Sequence, residues 1–145
     1  MSPTIAKSAR LRSTPFTQKI EEYGVQSYTV YNHMLLPASF HGAVDDCNHL
    51  KENVQVWDVS VERQVQIKGP DADYLTQLIT CRDLSKAKGH VCYYAPIVDN
   101  QGKILNDPLI MKVDLDTWWV SIADTDILLY AKGIAIGKNL NVEIT

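Results

Sequence analysis

Arg63-Gln64-Val65-Gln66-Ile67-Lys68-Gly69-Pro70-Asp71-Ala72-Asp73-Tyr74-Leu75-Thr76-Gln77-Leu78-Ile79 changes its hydrophobic period half-way along. Val65 and Ile67 alternate with polar neighbours, the pattern of a strand buried on one face. Gly69-Pro70-Asp71 then opens a helix, because proline suits the first helical turn and a short acidic side chain suits the cap. Tyr74, Leu75, Leu78 and Ile79 recur at helical spacing and are expected to form its buried stripe.

Strand signals continue toward the C-terminus. Residues 92–98 are strand-like, and Asp99-Asn100-Gln101-Gly102 is a turn whose glycine can take positive φ. Residues 104–113 and 117–122 follow as strands joined by an acidic turn. Asp124-Thr125-Asp126 offers a cap for a helix reaching about Ile136 and stopped by Gly137, and residues 141–144 regain strand character. Strand, helix, two or three strands, helix, strand is the order of a ferredoxin-like split βαβ domain. The expected fold class is therefore α+β, an antiparallel sheet with helices on one face.

Upstream of Arg63 the texture differs. Residues 1–17 are rich in Ser, Thr, Pro and Arg and lack apolar periodicity, and residues 1–27 read as an extended N-terminal arm before a domain over 28–145. Residues 28–40 suggest a short strand followed by a loop. Ala43, Cys47, Leu50 and Val54 recur at helical spacing, with Asp45 and Asp46 near the positive end of that helix.

The 145 residues suit about one domain, and 46% hydrophobic with 21% charged residues is the balance of a globular protein. Fourteen basic against 17 acidic residues leave a net charge of −3, which argues against nucleic acid or an anionic membrane as partner. No apolar run approaches the roughly 20 residues of a membrane span. Cys47, Cys81 and Cys92 are odd in number and widely spaced, so they read as reduced thiols of a cytoplasmic protein rather than a disulfide framework. Cys47-x-His49 and His90-x-Cys92 have spacings too short for a zinc finger, and buried thiols beside surface imidazoles are the simpler reading, with no metal.

Two constellations point to chemistry. Asn106-Asp107-Pro108 interrupts an apolar strand, where a carboxylate is expected to be partly desolvated and able to hold a cationic or N–H-bearing ligand; a strand bulge is the structural alternative. Tyr28, Tyr31, Tyr93, Tyr94, Trp118 and Trp119, with Trp57 and Met34, form the second. Strand neighbours face opposite sides, so one of Tyr93 and Tyr94 and one of Trp118 and Trp119 should face the core while the other is left for a ligand. Aromatic faces attract cations, sulfonium included, at roughly 0.5–2 kcal/mol per contact.

The segments together resemble the N-terminal part of the glycine-cleavage T-protein (aminomethyltransferase) family. Trp57-Asp58-Val59-Ser60, the stretch from Val65 to Ala72, Leu78-Ile79-Thr80 with Arg82-Asp83-Leu84, Tyr94-Ala95-Pro96, and the stretch from Asp99 to Ile110 carry the resemblance in order and spacing. Three further stretches are similar to a branch of that family that demethylates sulfonium compounds: Arg12-Ser13-Thr14-Pro15-Phe16, Tyr31-Asn32-His33-Met34-Leu35-Leu36-Pro37, and Trp118-Trp119-Val120-Ser121-Ile122-Ala123-Asp124. The T-protein pattern has Gly-Trp before the proline of the second stretch and two consecutive aspartates where this chain has Asn106-Asp107.

The resemblance implies a folate-binding domain, a fragment of a longer multidomain chain that is inactive alone, with tetrahydrofolate as methyl acceptor. It implies Asp107 as the catalytic carboxylate, Asp107 and Tyr94 at the cofactor, and Tyr31, Asn32, His33, Met34, Tyr94 and Ser121 around the substrate. The partner it implies is a small-molecule sulfonium or, alternatively, an aminomethyl donor, in a chain that can form a homo-oligomer. A folate-fold module that binds without turnover is the non-enzymatic alternative.

Overall fold

The computed structural model describes residue 5 and residues 8–145. The chain divides into two compact units, Met1–Val61 and Glu62–Thr145.

In the second unit the alternation at Val65 and Ile67 produces a strand, numbered β3 after two in the first unit (Gln64–Lys68), and α3 (Ala72–Ile79) follows it. The remaining elements are β4 (Cys92–Tyr94), β5 (Ile97–Val98), β6 (Ile104–Asn106), β7 (Leu109–Asp114), β8 (Thr117–Ser121), α4 (Ile127–Gly137) and β9 (Glu143–Ile144). Five strands form one sheet in the order β4-β7-β8-β3-β9, with every neighbouring pair antiparallel. Omitting β4 leaves the strand order of the split βαβ fold, with β3 central and its partners late in the chain.

One face of this sheet is dry. Val65, Ile67, Ile110, Trp118 and Val120 point into a core completed by Leu75 and Ile79 of α3 and by Ile127 and Ala131 of α4. Ile97 and Ile122 join the same core, and Leu128 packs against it only partly buried. Leu78 does not: it is 41% exposed, and Tyr74 is 54% exposed. The buried stripe of α3 is Ala72, Leu75, Thr76 and Ile79, set by the tight start of the helix rather than by its largest apolar residues. At that start Gly69 has φ +136°, and a Cβ there would lie 2.6 Å from the Asn141 carbonyl oxygen. The first turn is stapled to the sheet by Asp73, whose carboxylate accepts from Lys112 Nζ at 2.7 Å and from Trp118 Nε1 at 2.6 Å.

The strands expected over 92–98 and 104–113 are each broken by proline. Pro96 separates β4 from β5, and Pro108 separates β6 from β7. Neither can donate to a ladder, so the long hairpin bends there, and β5 and β6 leave the main sheet as a separate ribbon. The turn at its tip forms as expected, with Gly102 at φ +79° and its N–H donating to the Asp99 carbonyl.

In the first unit, residues 1–27 are not wholly an extended arm, because Thr17–Glu22 forms helix α1. Thr14 and Thr17 make this possible: Thr17 Oγ1 accepts from the Thr14 N–H at 2.8 Å, and Thr14 Oγ1 donates to Asp58 Oδ2 at 2.5 Å. Burial alone would raise the Asp58 carboxyl, but the bonds from Thr14 and Ser60 outweigh it and hold its pKa below the usual value. Residues 28–40 form a hairpin rather than a strand and loop, β1 (Ser27–Tyr31) paired with β2 (Met34–Ser39). Helix α2 (Ala43–Glu52) has no buried residue, so its apolar stripe is open to solvent. All three cysteines are free and exposed, not buried as expected for Cys47 and Cys92. Among the described residues no helix is long and apolar enough to cross a membrane.

Candidate functional site

Both helices of the second unit pack on the core face of the five-stranded sheet, and the strand registers decide what the second face displays. Tyr94 pairs with Leu109, Leu109 with Ser121, and Ser121 with Gln64, so these four residues form one row. Cys92, Met111, Trp119 and Gln66 form the next row, two residues along and on the same face. Tyr94 is 49% and Trp119 42% exposed, whereas Trp118 is buried and Tyr93 packs against the core, so each aromatic pair splits as expected. Trp119 is steered by its Nε1, which donates to Gln66 Oε1 at 3.1 Å. Ser121 Oγ accepts from Gln64 Nε2 at 2.9 Å.

Asp107 stands at the rim of this face, in the break between β6 and β7. It is exposed rather than partly desolvated, because its neighbours Asn106 and Pro108 are both buried and the extended backbone turns the residue between them outward. The Tyr94 hydroxyl donates to Asp107 Oδ2 across 3.4 Å. Desolvation and the Asp107 charge together raise the Tyr94 pKa above the usual phenol value, which keeps the hydroxyl a donor. Arg82 reaches the same strand, donating to the Tyr94 carbonyl at 2.9 Å and lying 5.3 Å from the Tyr93 ring centroid.

Tyr94, Asp107 and Ser121 thus share one surface, with Tyr94 and Asp107 in contact. The other expected substrate residues sit at the tip of the first unit's hairpin. Tyr31 and Met34 close the ladder, and Asn32 and His33 make the two-residue turn with φ of +50° and +63°. Asn32 is 4% exposed and its Nδ2 donates to the Val61 carbonyl at 3.0 Å, whereas His33 is exposed. Met111 does not stand out in the sequence, because only the register with Trp119 shows that the two share the face opposite the core. Among the described residues no group of three or more His, Cys, Asp or Glu side chains is arranged to hold a metal.

An exposed carboxylate accepting from a phenol, on a face that displays tyrosine, tryptophan and methionine, suits a cationic or N–H-rich small molecule. The family model of the GCVT N-terminal domain matches residues 16–134. This chain belongs to that family. It is 52% identical over 141 residues to dimethylsulfoniopropionate demethylase from Ruegeria pomeroyi, covering 97% of this chain and 39% of that protein. It is 28% identical over 106 residues to a probable aminomethyltransferase from Halobacterium salinarum, covering 73% of this chain and 29% of the relative. The glycine cleavage system aminomethyltransferase T from Bartonella henselae matches in fold, with TM-score 0.69 at 14% identity over 92% of this chain and 37% of that one. The chain therefore spans about two-fifths of the length of these relatives or less. Within this GCVT N-terminal domain, the matched residues include the whole α3, the bent hairpin and Asp107.

Proposed function

We propose that the chain serves in a tetrahydrofolate-dependent methyltransferase whose donor is a sulfonium, as in dimethylsulfoniopropionate demethylation. The observation that carries this reading is the 52% identity to that demethylase across 97% of the chain, against 28% across 73% for the aminomethyltransferase relative. The exposed face suits both reactants, since Asp107 can accept from pterin N–H groups while Tyr94 and Trp119 present ring faces to a cation.

Tetrahydrofolate, when bound, supplies the nitrogen that accepts the methyl group. The sulfonium is already electrophilic, so the protein needs no strong nucleophile; it must align donor and acceptor and exclude water. In the transfer the C–S bond would break as the N–C bond forms, with sulfur leaving as a neutral thioether, and Asp107 would stabilise the positive charge carried to the acceptor side or take the proton released there. Tyr94, kept neutral, orients the carboxylate by donating to it. Ser121 offers a hydroxyl to the substrate's own carboxylate. On the first unit, Tyr31, Asn32, His33 and Met34 at the hairpin tip are proposed as substrate-binding residues.

In the full-length enzyme, Asp107→Asn is expected to lower methyl transfer at least about tenfold, some 1.4 kcal/mol of transition-state stabilisation, with the fold intact. Unchanged turnover would reduce Asp107 to a residue of the bend. Assay of the same protein with a sulfonium donor and with an aminomethyl-lipoyl donor separates this reading from the aminomethyltransferase that the Halobacterium relative's name suggests. Tetrahydrofolate binding without transfer from either donor would mark a binding module instead.

A further inference from the structure

Asn106 is 3% exposed, and both ends of its amide are engaged. Nδ2 donates to Thr125 Oγ1 at 2.6 Å, and Oδ1 accepts from the Ala123 N–H at 3.0 Å. Thr125 Oγ1 in turn donates to the Leu105 carbonyl at 2.6 Å, which closes a ring between β6 and the loop leading into α4. On the other side of Asp107, Pro108 is fully buried and its carbonyl accepts from the Ala95 N–H at 3.0 Å. Asp107 is therefore the one exposed residue between two fixed ones. The Ala123 end of the ring lies two residues beyond Ser121, so the same bonds tie the Asp107 segment to the end of β8.

We propose that Asn106 and Thr125 are positioning residues, a side-chain latch that fixes the backbone on the N-terminal side of Asp107 and sets its carboxylate against the Tyr94 hydroxyl. The proposal rests on the assignment of Asp107 to the reaction. The latch needs an amide at position 106. A carboxylate there could accept from Ala123 and from Thr125, but Thr125 would then have no proton left for the Leu105 carbonyl, and the ring would open. The hydroxyl of Thr125 is equally required, because it is donor and acceptor at once. Without the ring, the bend keeps Pro108 but loses its hold on the N-terminal side of Asp107. A displacement of about 1 Å in a reacting group can cost on the order of a hundredfold in rate.

The test uses the full-length enzyme with Thr125→Val, which keeps the side-chain shape and removes the hydroxyl, and with Thr125→Ser, which restores it. Two readouts are taken. Turnover with the sulfonium donor is expected to fall about tenfold or more in kcat for Thr125→Val, with KM much less affected, and to recover in Thr125→Ser. NMR titration of isotope-labelled tyrosine needs no substrate: the raised Tyr94 titration is expected to move toward the ordinary phenol value in Thr125→Val and to return in Thr125→Ser. Asn106→Ala should reproduce the Thr125→Val result, so a folding defect in one variant leaves the other to decide. An unchanged Tyr94 titration in folded Thr125→Val, or loss of thermal stability with kcat intact, would overturn the latch. A wild-type enzyme without sulfonium turnover would overturn the function instead, while the Tyr94 titration still decides the latch.

Discussion

Thr76 shows how one atom can work against a core. The residue is fully buried on α3, and its Oγ1 has no hydrogen-bond partner among the described residues. Desolvating a hydroxyl without a partner costs about 1–3 kcal/mol, and valine has the same shape without that cost. Thr76→Val is therefore expected to raise the unfolding free energy by about 1 kcal/mol in denaturant titration; a loss of stability would show that the hydroxyl is bonded. Gly69 is the opposite case, a residue with no tolerance. Its φ of +136° and the 2.6 Å approach to the Asn141 carbonyl leave no space for a methyl group. Gly69→Ala should destabilise by at least about 2 kcal/mol, from backbone strain and from the shift forced on residues 141–142. Denaturant midpoints that coincide with wild type would refute this.

At the scale of elements, the staple from α3 to the sheet has a pH signature. Burial alone would raise the Asp73 carboxyl, but the bonds from Lys112 and Trp118 outweigh it and hold its pKa below the ordinary value. A group depressed in the folded state stabilises above its unfolded pKa, and that contribution fades as pH falls through the folded value. Asp73→Asn is thus expected to be less stable than wild type near neutral pH, with the gap closing below about pH 4. The salt bridge is half open to water, which makes the effect modest, and a gap that stays constant from neutral to acid pH would rule the staple out. These elements were unequally legible. Strict alternation at Val65 and Ile67 made β3 readable, and the cap at Asp126 made the start of α4 readable; its end was not, because Gly137 is still helical, Lys138 is the cap and Asn139 takes the positive φ of +53°. The phase of α3 was not, because Tyr74 and Leu78 are apolar yet outward, while the small Ala72 and polar Thr76 face the core. Asp107 stood out as a charge within an apolar run. The ring that holds it did not, because Asn106 and Thr125 are 19 residues apart and meet only once β8 has turned into α4.

For the whole molecule, the sheet order sets a timetable. β3 is an interior strand, yet it is the first of the five to be made, and its partners β8 and β9 come long after it. Val65 pairs with Val120, and Ile67 with Ile144, more than seventy residues later. At the usual elongation rate of about 5–20 residues per second, Ile67 is added to the chain roughly 4–15 s before its last partner. The αβ piece made of β3 and α3 therefore waits with both strand edges unpaired, and the domain cannot close by growing outward from its first hairpin. The entropy of closing so long a loop must be met before the pairing rewards it even in the finished chain, so the capture of β3 between β8 and β9 is expected to slow folding.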